Sequence, residues 1–439
     1  MTSGTTPDGW SAYDQAVPSV AGLDDLRDRM DELRPRRPGP AGATLDDVRQ
    51  VVVVVSSSRG GSSLFGELLR RVPGLLHLRA EVNPFFALAG LSSGPRRRPV
   101  LEAELLADIG EPAGSGPSEV DERFVLDVTW RLLAQWPTLA VLPLPDLVQR
   151  VAAVAERTPA GTDPRRFQLD VLADLRRSFP EIHPAYYDLS DEVMRQVHPD
   201  LATPVGPPGP AFVEMPPFVV LTPWRRASRE DLVTRPLVLT TPRNSFRLEF
   251  LAGLFPNATL RVLHLTRNPA AAVNGLVDGW LHHGFFNCTV PAQLRMPGYS
   301  DVVPGGDRWW CYDIPPRWPE LVDRPLVEVC AEQWRSAHRA ALAYVASHQP
   351  DVLRVRFESV VGPPAERLPT LDRLAGWLGV DVERLHAVAG AELPVVMATA
   401  PPRPRRWLVR AAELLPALRR PGVSDLAEEL GYRSEEEWD

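Results

Sequence analysis

Residues 51–69 constrain this chain more than any other stretch. Val51 to Val55 form an unbroken β-branched run that stops at Ser56-Ser57-Ser58-Arg59-Gly60-Gly61-Ser62-Ser63. Leu64, Phe65, Leu68 and Leu69 then recur on one helical face. A short apolar run bounded by small residues reads as a buried strand, and the 3.6-residue period after it as a helix. Where a strand feeds a helix through such a loop, backbone N–H groups and the helix dipole favour an anion. Gly60 and Gly61 let the backbone approach closely, and Ser62 and Ser63 add hydroxyl donors. Arg59 places in the same loop a guanidinium able to fork onto phosphate oxygens. The pattern predicts a phosphate site; the alternative is a serine-rich turn that binds nothing.

An absence narrows the chemistry. All 48 Lys+Arg positions are arginine. A nucleotide-hydrolysing loop of the Gly-x-x-x-x-Gly-Lys-Ser/Thr type needs its lysine at the terminal phosphates, so ordinary kinase or ATPase chemistry is disfavoured. A second stretch completes the constraint. Leu260 to Thr266 predict another buried strand, and Asn268 with Pro269 a helix start where the missing proline N–H costs nothing. Arg267 falls at the carboxyl end of that strand, the edge at which open α/β sheets bind ligands. Alone, Arg267 reads as a surface residue. Paired with the first loop, it supplies two anion sites on one sheet edge, as a nucleotide with two separated phosphates requires.

These residues carry a family resemblance. Ser56 to Leu64 resembles the 5′-phosphosulfate loop of PAPS-dependent sulfotransferases, which use 3′-phosphoadenosine 5′-phosphosulfate (PAPS). Leu265-Thr266-Arg267-Asn268-Pro269 resembles their 3′-phosphate motif. Leu239 to Ser245 followed by Leu254 to Ala258, then Leu353 to Glu358, then Leu430-Gly431-Tyr432, resemble further family segments in the family's order. The resemblance covers residues 51–90 and 236–439 and implies an α/β fold of the bacterial, P-loop-like sulfotransferase type. That fold is a central parallel sheet flanked by helices, with a largely helical insertion or lid at 91–235 forming the acceptor site. Residues 1–50 are expected as a partly helical N-terminal extension to the 51–439 domain. The resemblance also implies PAPS as sulfuryl donor, 3′-phosphoadenosine 5′-phosphate (PAP) as product, and no metal. Arg59, Gly60, Gly61, Ser62, Ser63 and Arg267 are the donor-binding residues it implies.

Departures from the family pattern matter equally. Gly275 stands where the family places a 3′-phosphate serine, with Asn274 as a neighbouring substitute. Thr240-Thr241-Pro242 replaces a Lys-Thr-His segment, so that histidine base is absent. Pro402-Arg403-Pro404-Arg405-Arg406-Trp407 either covers the 3′ side of the donor or is a solvated basic turn. Glu81 stands where carboxylate-using members place their base, among apolar neighbours that raise a carboxyl's pKa. Glu81 and Arg59 are thus the expected catalytic pair, the alternative for Glu81 being a salt bridge with Arg79 or another arginine. His282 and His283 compete as bases, while His264, within a strand, reads as a satisfied core residue.

Bulk properties bound the class. The 44% hydrophobic and 24% charged content of 439 residues allows a sizeable core. No apolar stretch approaches the roughly 20 residues of a membrane span, and the first residues lack the charged and apolar regions of a secretory signal. Cys288, Cys311 and Cys330 are spaced unlike a zinc site and are too few for a disulfide framework. A cytoplasmic protein is expected. Net charge of −8 argues against nucleic acid or an anionic membrane as the main partner; the partner that the resemblance implies is a small-molecule acceptor. Oligomeric state is not readable.

Local patterns predict a helix over Leu23–Leu33 and another over Leu169–Leu175, and a surface loop or lid over 91–120. They also predict a proline-dense loop over 201–223 and a short strand from Arg123 to Val128. Asp127, at the end of that strand, reads as a core-edge cap or a metal-binding aspartate. Trp130, Trp136, Tyr186, Tyr187, Phe212, Phe218 and Trp224, with Trp309, Trp310, Tyr312 and Trp318, pack a core or line an apolar or aromatic acceptor site. An arginine-only composition rich in alanine and proline points to a GC-rich bacterial genome and a specialised-metabolite acceptor. The expected function is sulfuryl transfer from PAPS to a phenol or alcohol hydroxyl. The rivals are a non-catalytic nucleotide-binding protein of the same fold and a nucleotide-dependent phosphotransferase.

Overall fold

The computed structural model describes residues 23–89, 98–113, 121–159, 161–187, 189, 191–197, 199, 201–202, 214, 224–282, 287–390, 393–433, 435 and 438. The valine run forms strand β1 (Gln50–Val55), with Val51 to Val55 all buried, as a strand covered on both faces requires. Eight further strands follow: β2 (Leu76–His77), β3 (Gly110–Pro112), β4 (Trp224–Arg226), β5 (Leu237–Thr240), β6 (Thr259–Thr266), β7 (Asn287–Thr289), β8 (Trp309–Cys311) and β9 (Asp351–Arg356).

Seven strands make one sheet in the order β4-β3-β2-β5-β1-β6-β9, and β7 with β8 forms a separate hairpin. In the large sheet β1 runs parallel to β5, with Val51 opposite Leu237, and to β6, with Val51 opposite Leu260. The pairs β6–β9 and β2–β5 are also parallel. The expected parallel sheet is therefore present, extended on one side by β3 and β4, which pair antiparallel. β1 and β6 lie side by side, so the loops leaving their carboxyl ends emerge next to each other. That adjacency positions the site.

Three local expectations are corrected. Residues 122–135 form a helix, Glu122–Gln135, N-capped by Asp121, whose side chain accepts from Phe124 N. Val125, Leu126, Val128, Trp130, Leu132, Leu133 and Ala134 are its buried apolar residues; a six-residue window is too short to separate that period from a strand. Asp127 is no metal ligand in this setting, because its carboxylate meets Arg37 Nε at 2.8 Å, Arg79 Nη2 at 2.7 Å and Arg226 Nη2 at 3.0 Å. Within 91–120 the described residues include a helix, Arg98–Asp108, and β3 rather than a loop alone. The helices Leu23–Leu33 and Pro164–Arg176 form where expected. Most of 201–223, with Phe212 and Phe218, lies outside the described residues.

Trp130, Trp136, Tyr186 and Tyr187 share the core cluster that covers Val51, Val53 and Val55. Trp136 Nε1 donates to the Tyr187 hydroxyl at 2.5 Å, which donates to Gln135 Oε1 at 2.9 Å. Trp310 and Trp318 pack with Trp280 and Trp334 in a second cluster. These rings build the interior. Among the described residues no helix is long and apolar enough to cross a membrane, and no group of three or more His, Cys, Asp or Glu is placed to hold a metal ion.

Candidate active site

The loop after β1 turns through two left-handed residues, Arg59 with φ 61° and Gly61 with φ 95°. Gly61 is the N-cap of the helix Ser62–Arg70, which buries Phe65, Leu68 and Leu69. A Cβ on Gly61 would stand 2.2 Å from the Phe357 ring, so conformation and space both demand glycine. Gly61→Ala is accordingly expected to cost about 1–3 kcal/mol. Thermal denaturation checks this, an unchanged midpoint being the contrary result. Gly60 serves another purpose. Its N–H donates to Ser57 O at 3.0 Å, and a Cβ there would lie 2.1 Å from Ser56 Oγ. Its donor is thus engaged inside the loop, while Ser58, Arg59, Gly61, Ser62 and Ser63 line a cavity of about 870 Å³.

Arg267 follows β6 and lines the same cavity. Its Nη1 donates to Arg59 O at 3.0 Å, and its guanidinium lies 4.8 Å from the Phe357 ring centroid. The helix Pro269–Trp280 begins just beyond, with Asn268 Oδ1 accepting from Ala271 N at 2.7 Å. Glu358 fastens this turn: Oε1 accepts from Asn268 N at 2.8 Å and from its Nδ2 at 3.0 Å. Oε2 of Glu358 accepts from the Tyr432 hydroxyl at 3.0 Å, which stands 3.1 Å from Thr266 Oγ1. The three C-terminal motifs of the sequence thus meet at one point. Removing the hydroxyl in Tyr432→Phe is expected to cost about 1 kcal/mol of stability, readable as a lower denaturant midpoint at constant slope.

The cavity is electropositive. Burial above all, together with the like charges of Arg59 and Arg406 and against the pull of Glu358, holds the Arg267 pKa down to about 10. Arg403, Arg405, Arg406 and Trp407 also line the cavity, so the basic turn faces it. Arg406 pairs with Asp278, and Arg410 Nη1 contacts Asp278 Oδ1 at 3.0 Å and Asn274 Oδ1 at 2.5 Å. Asn274 therefore has its carbonyl engaged by Arg410. Gly275 faces Arg59, whose Cβ would lie 3.3 Å from an added Cβ. Arg59 Nη1 donates to Met397 O at 2.6 Å, tying the loop to the 393–407 segment that closes the cavity.

Glu81 is half-buried on the same wall. Its Oε2 accepts from Asn83 Nδ2 at 2.5 Å and from Thr241 Oγ1 at 3.0 Å, and Arg247 donates to Asn83 behind it. Oε1 has no partner among the described residues. Burial raises the carboxyl's pKa, opposed by the Thr241 bond, Arg243 and Arg247 and reinforced by Asp313. Arg79 takes no part, since it pairs with Asp127. His264 is buried against His338, Nε2 to Nδ1 2.9 Å. His282 is absent from the described walls of both cavities below, and His283 lies outside the described residues.

Asp313 escaped the sequence reading. It is buried and lines the cavity, and its Oδ2 accepts from Ser58 Oγ at 2.7 Å and Ser58 N at 3.2 Å. Burial raises its pKa too. Across 255 positions no local pattern links Ser58 to Asp313. Arg243, from the Leu239–Ser245 segment, and Tyr312, one of the named aromatics and left-handed at φ 64°, are further wall residues. A second cavity of about 740 Å³ adjoins the first. Both are walled by Ser62, Ser63, Glu81, Thr241 and Met397, so Glu81 stands at their junction.

No family model and no curated protein matches this chain. Solved structures do. A sulfotransferase domain from the curacin biosynthetic pathway shares 12% identity over 88% of this chain and 98% of that one, with a TM-score of 0.37. A sulfotransferase domain from the Synechococcus PCC 7002 olefin synthase shares 15% over 88% and 95%, also at 0.37. A sulfotransferase from Mycobacterium avium shares 13% over 87% and 77%, at 0.35. Identities and scores at this level carry no functional inference.

Proposed function

We propose that this protein is a PAPS-dependent sulfotransferase that transfers the sulfuryl group to a hydroxyl, phenolic or alcoholic, of a small acceptor. PAP leaves as the product, and no metal takes part. The observation that carries this reading is the convergence of Arg59 and Arg267, from two separate sheet-edge loops, in one cavity with Glu81 on its wall. A doubly phosphorylated adenosine fits this wall better than a simpler nucleotide, because it offers two separated anions to the two loops. The half-buried, mutually repelling guanidinium groups gain from such a ligand.

Bound here, the donor would supply a sulfuryl group already activated by its anhydride link to the 5′-phosphate. Arg59 and the N–H groups at the start of the helix Ser62–Arg70 face the 5′ end and neutralise the charge that develops on the bridging oxygen. Arg267 holds the 3′-phosphate, with Arg406 on the wall of the same cavity. Glu81, oriented by Asn83 and Thr241, receives the acceptor's hydroxyl proton at Oε1 as the oxygen attacks sulfur. By analogy with phosphoryl transfer, positioning and electrostatics supply most of the rest. The arginine-only composition supports a GC-rich bacterial source and a specialised-metabolite acceptor, and three free cysteines suit the reducing cytoplasm.

The test is incubation with labelled PAPS and a panel of phenols, alcohols and amines, followed by detection of sulfated product. Product from phenols or alcohols supports the reading. Tight PAP binding with no product from any acceptor favours a binding module, and selective ATP binding favours a phosphotransferase.

A further inference from the structure

The second cavity is walled differently from the first. Arg70, Arg71, Arg79, Arg131 and Arg165 line it, facing Glu67, Glu81, Asp163 and Glu214. Ion pairing is uneven across this wall. Arg131 is fully paired, with Asp108 at 2.8 Å and Glu214 at 2.6 Å. Arg70 and Arg71 share the single carboxylate of Glu67, at 3.8 and 3.2 Å. Among the described residues no carboxylate pairs with the Arg165 side chain, which is exposed. Two buried nitrogens have no hydrogen-bond acceptor, Arg70 Nε and Arg79 Nη1, and the Arg79 side chain is only 5% exposed. Both nitrogens belong to residues that line the cavity, so a modest shift of either side chain would offer an entering anion a strong, otherwise unsatisfied donor. Desolvation, opposed by Glu67 and reinforced by repulsion from Arg131, also weighs on the charged form of Arg70.

On the reading given under Proposed function, we infer that this second cavity holds the anionic end of the acceptor, a hydroxy acid whose hydroxyl lies at Glu81 and whose carboxylate meets Arg70, Arg79 and Arg165. The junction at Glu81 sets the polarity of the pair of cavities: donor on one side, acid on the other. A volume of about 740 Å³ accommodates a ring or alkyl spacer between hydroxyl and acid. Among the described residues of the expected aromatic set, Trp130, Trp136, Tyr186 and Tyr187 pack the core and Trp224 lines this cavity. The described wall therefore offers the acceptor more charge than aromatic surface.

The test compares three hydroxy acids, 4-hydroxyphenylacetate, 3-(4-hydroxyphenyl)propionate and 6-hydroxyhexanoate, with their methyl esters. KM is expected to be about tenfold or more lower for the acids. That gap should close in the double variant Arg70→Gln, Arg165→Gln, with PAP affinity retained. Equal or better KM for the esters, or an undiminished gap in the double variant, overturns the inference while leaving sulfuryl transfer standing. Failure of PAP to bind instead removes the proposed function. In that event, calorimetric titration of the three acids into the protein alone still decides the subsite: binding lost in the double variant supports it, and no binding of any acid overturns it.

Discussion

Replacing Glu81 by glutamine is expected to lower turnover by about 10²-fold or more while leaving PAP affinity unchanged. The substitution keeps size and hydrogen-bonding capacity but removes the basic oxygen that faces the cavity. Asn83 and Thr241 both donate to Oε2, and the amide oxygen of glutamine still accepts those bonds, so the fold should tolerate it. The pH profile adds a second readout. Burial raises the Glu81 pKa above its ordinary 4.5, and the carboxylate is the catalytic form. Activity should therefore rise with pH through that raised value and fall on acidification below it, with an acid limb lying above the range of an exposed carboxylate. In Glu81→Gln the limb should vanish along with the activity. Full turnover in that variant would show that Glu81 is not the base.

Arg267→Ala is expected to weaken PAP binding by about 10- to 100-fold, the equivalent of one charge-assisted hydrogen bond of about 1.5–3 kcal/mol. The same change removes the bond to Arg59 O and the stacking on Phe357, so the effect belongs to the upper part of that range. Because Arg267 is assigned to the 3′-phosphate, 5′-AMP binding should change far less. Arg267→Lys should recover only part of the loss, since an ammonium lacks the planar fork. Unchanged PAP affinity in Arg267→Ala defeats the assignment.

Much of this architecture was written into local patterns. The run Val51–Val55 could only be a strand covered on both faces, and Asn268-Pro269 could only open a helix, so both anion loops were legible with their arginines. The motifs around Glu358 and Tyr432 were visible as a family likeness, but their physical task, fastening the Arg267 turn, appears only once β6, β9 and the segment carrying Tyr432 are assembled. Asp313 was invisible because its meaning lies in a contact with Ser58 made by tertiary packing. Asp127 was misread because a six-residue window cannot separate helical from strand periodicity, and its three arginine partners come from distant segments. Gly60 shows the limit of reading loop glycines as ligand-facing: close approach to Ser56 and Ser57, rather than to an anion, is what excludes a side chain there.

The most direct test is a calorimetric comparison of PAP and 5′-AMP on the unmodified protein. If Arg59 and Arg267 hold the two phosphates of one nucleotide, PAP should bind at least about tenfold more tightly than 5′-AMP. Equal affinity for the two, or no binding of PAP at all, would contradict it.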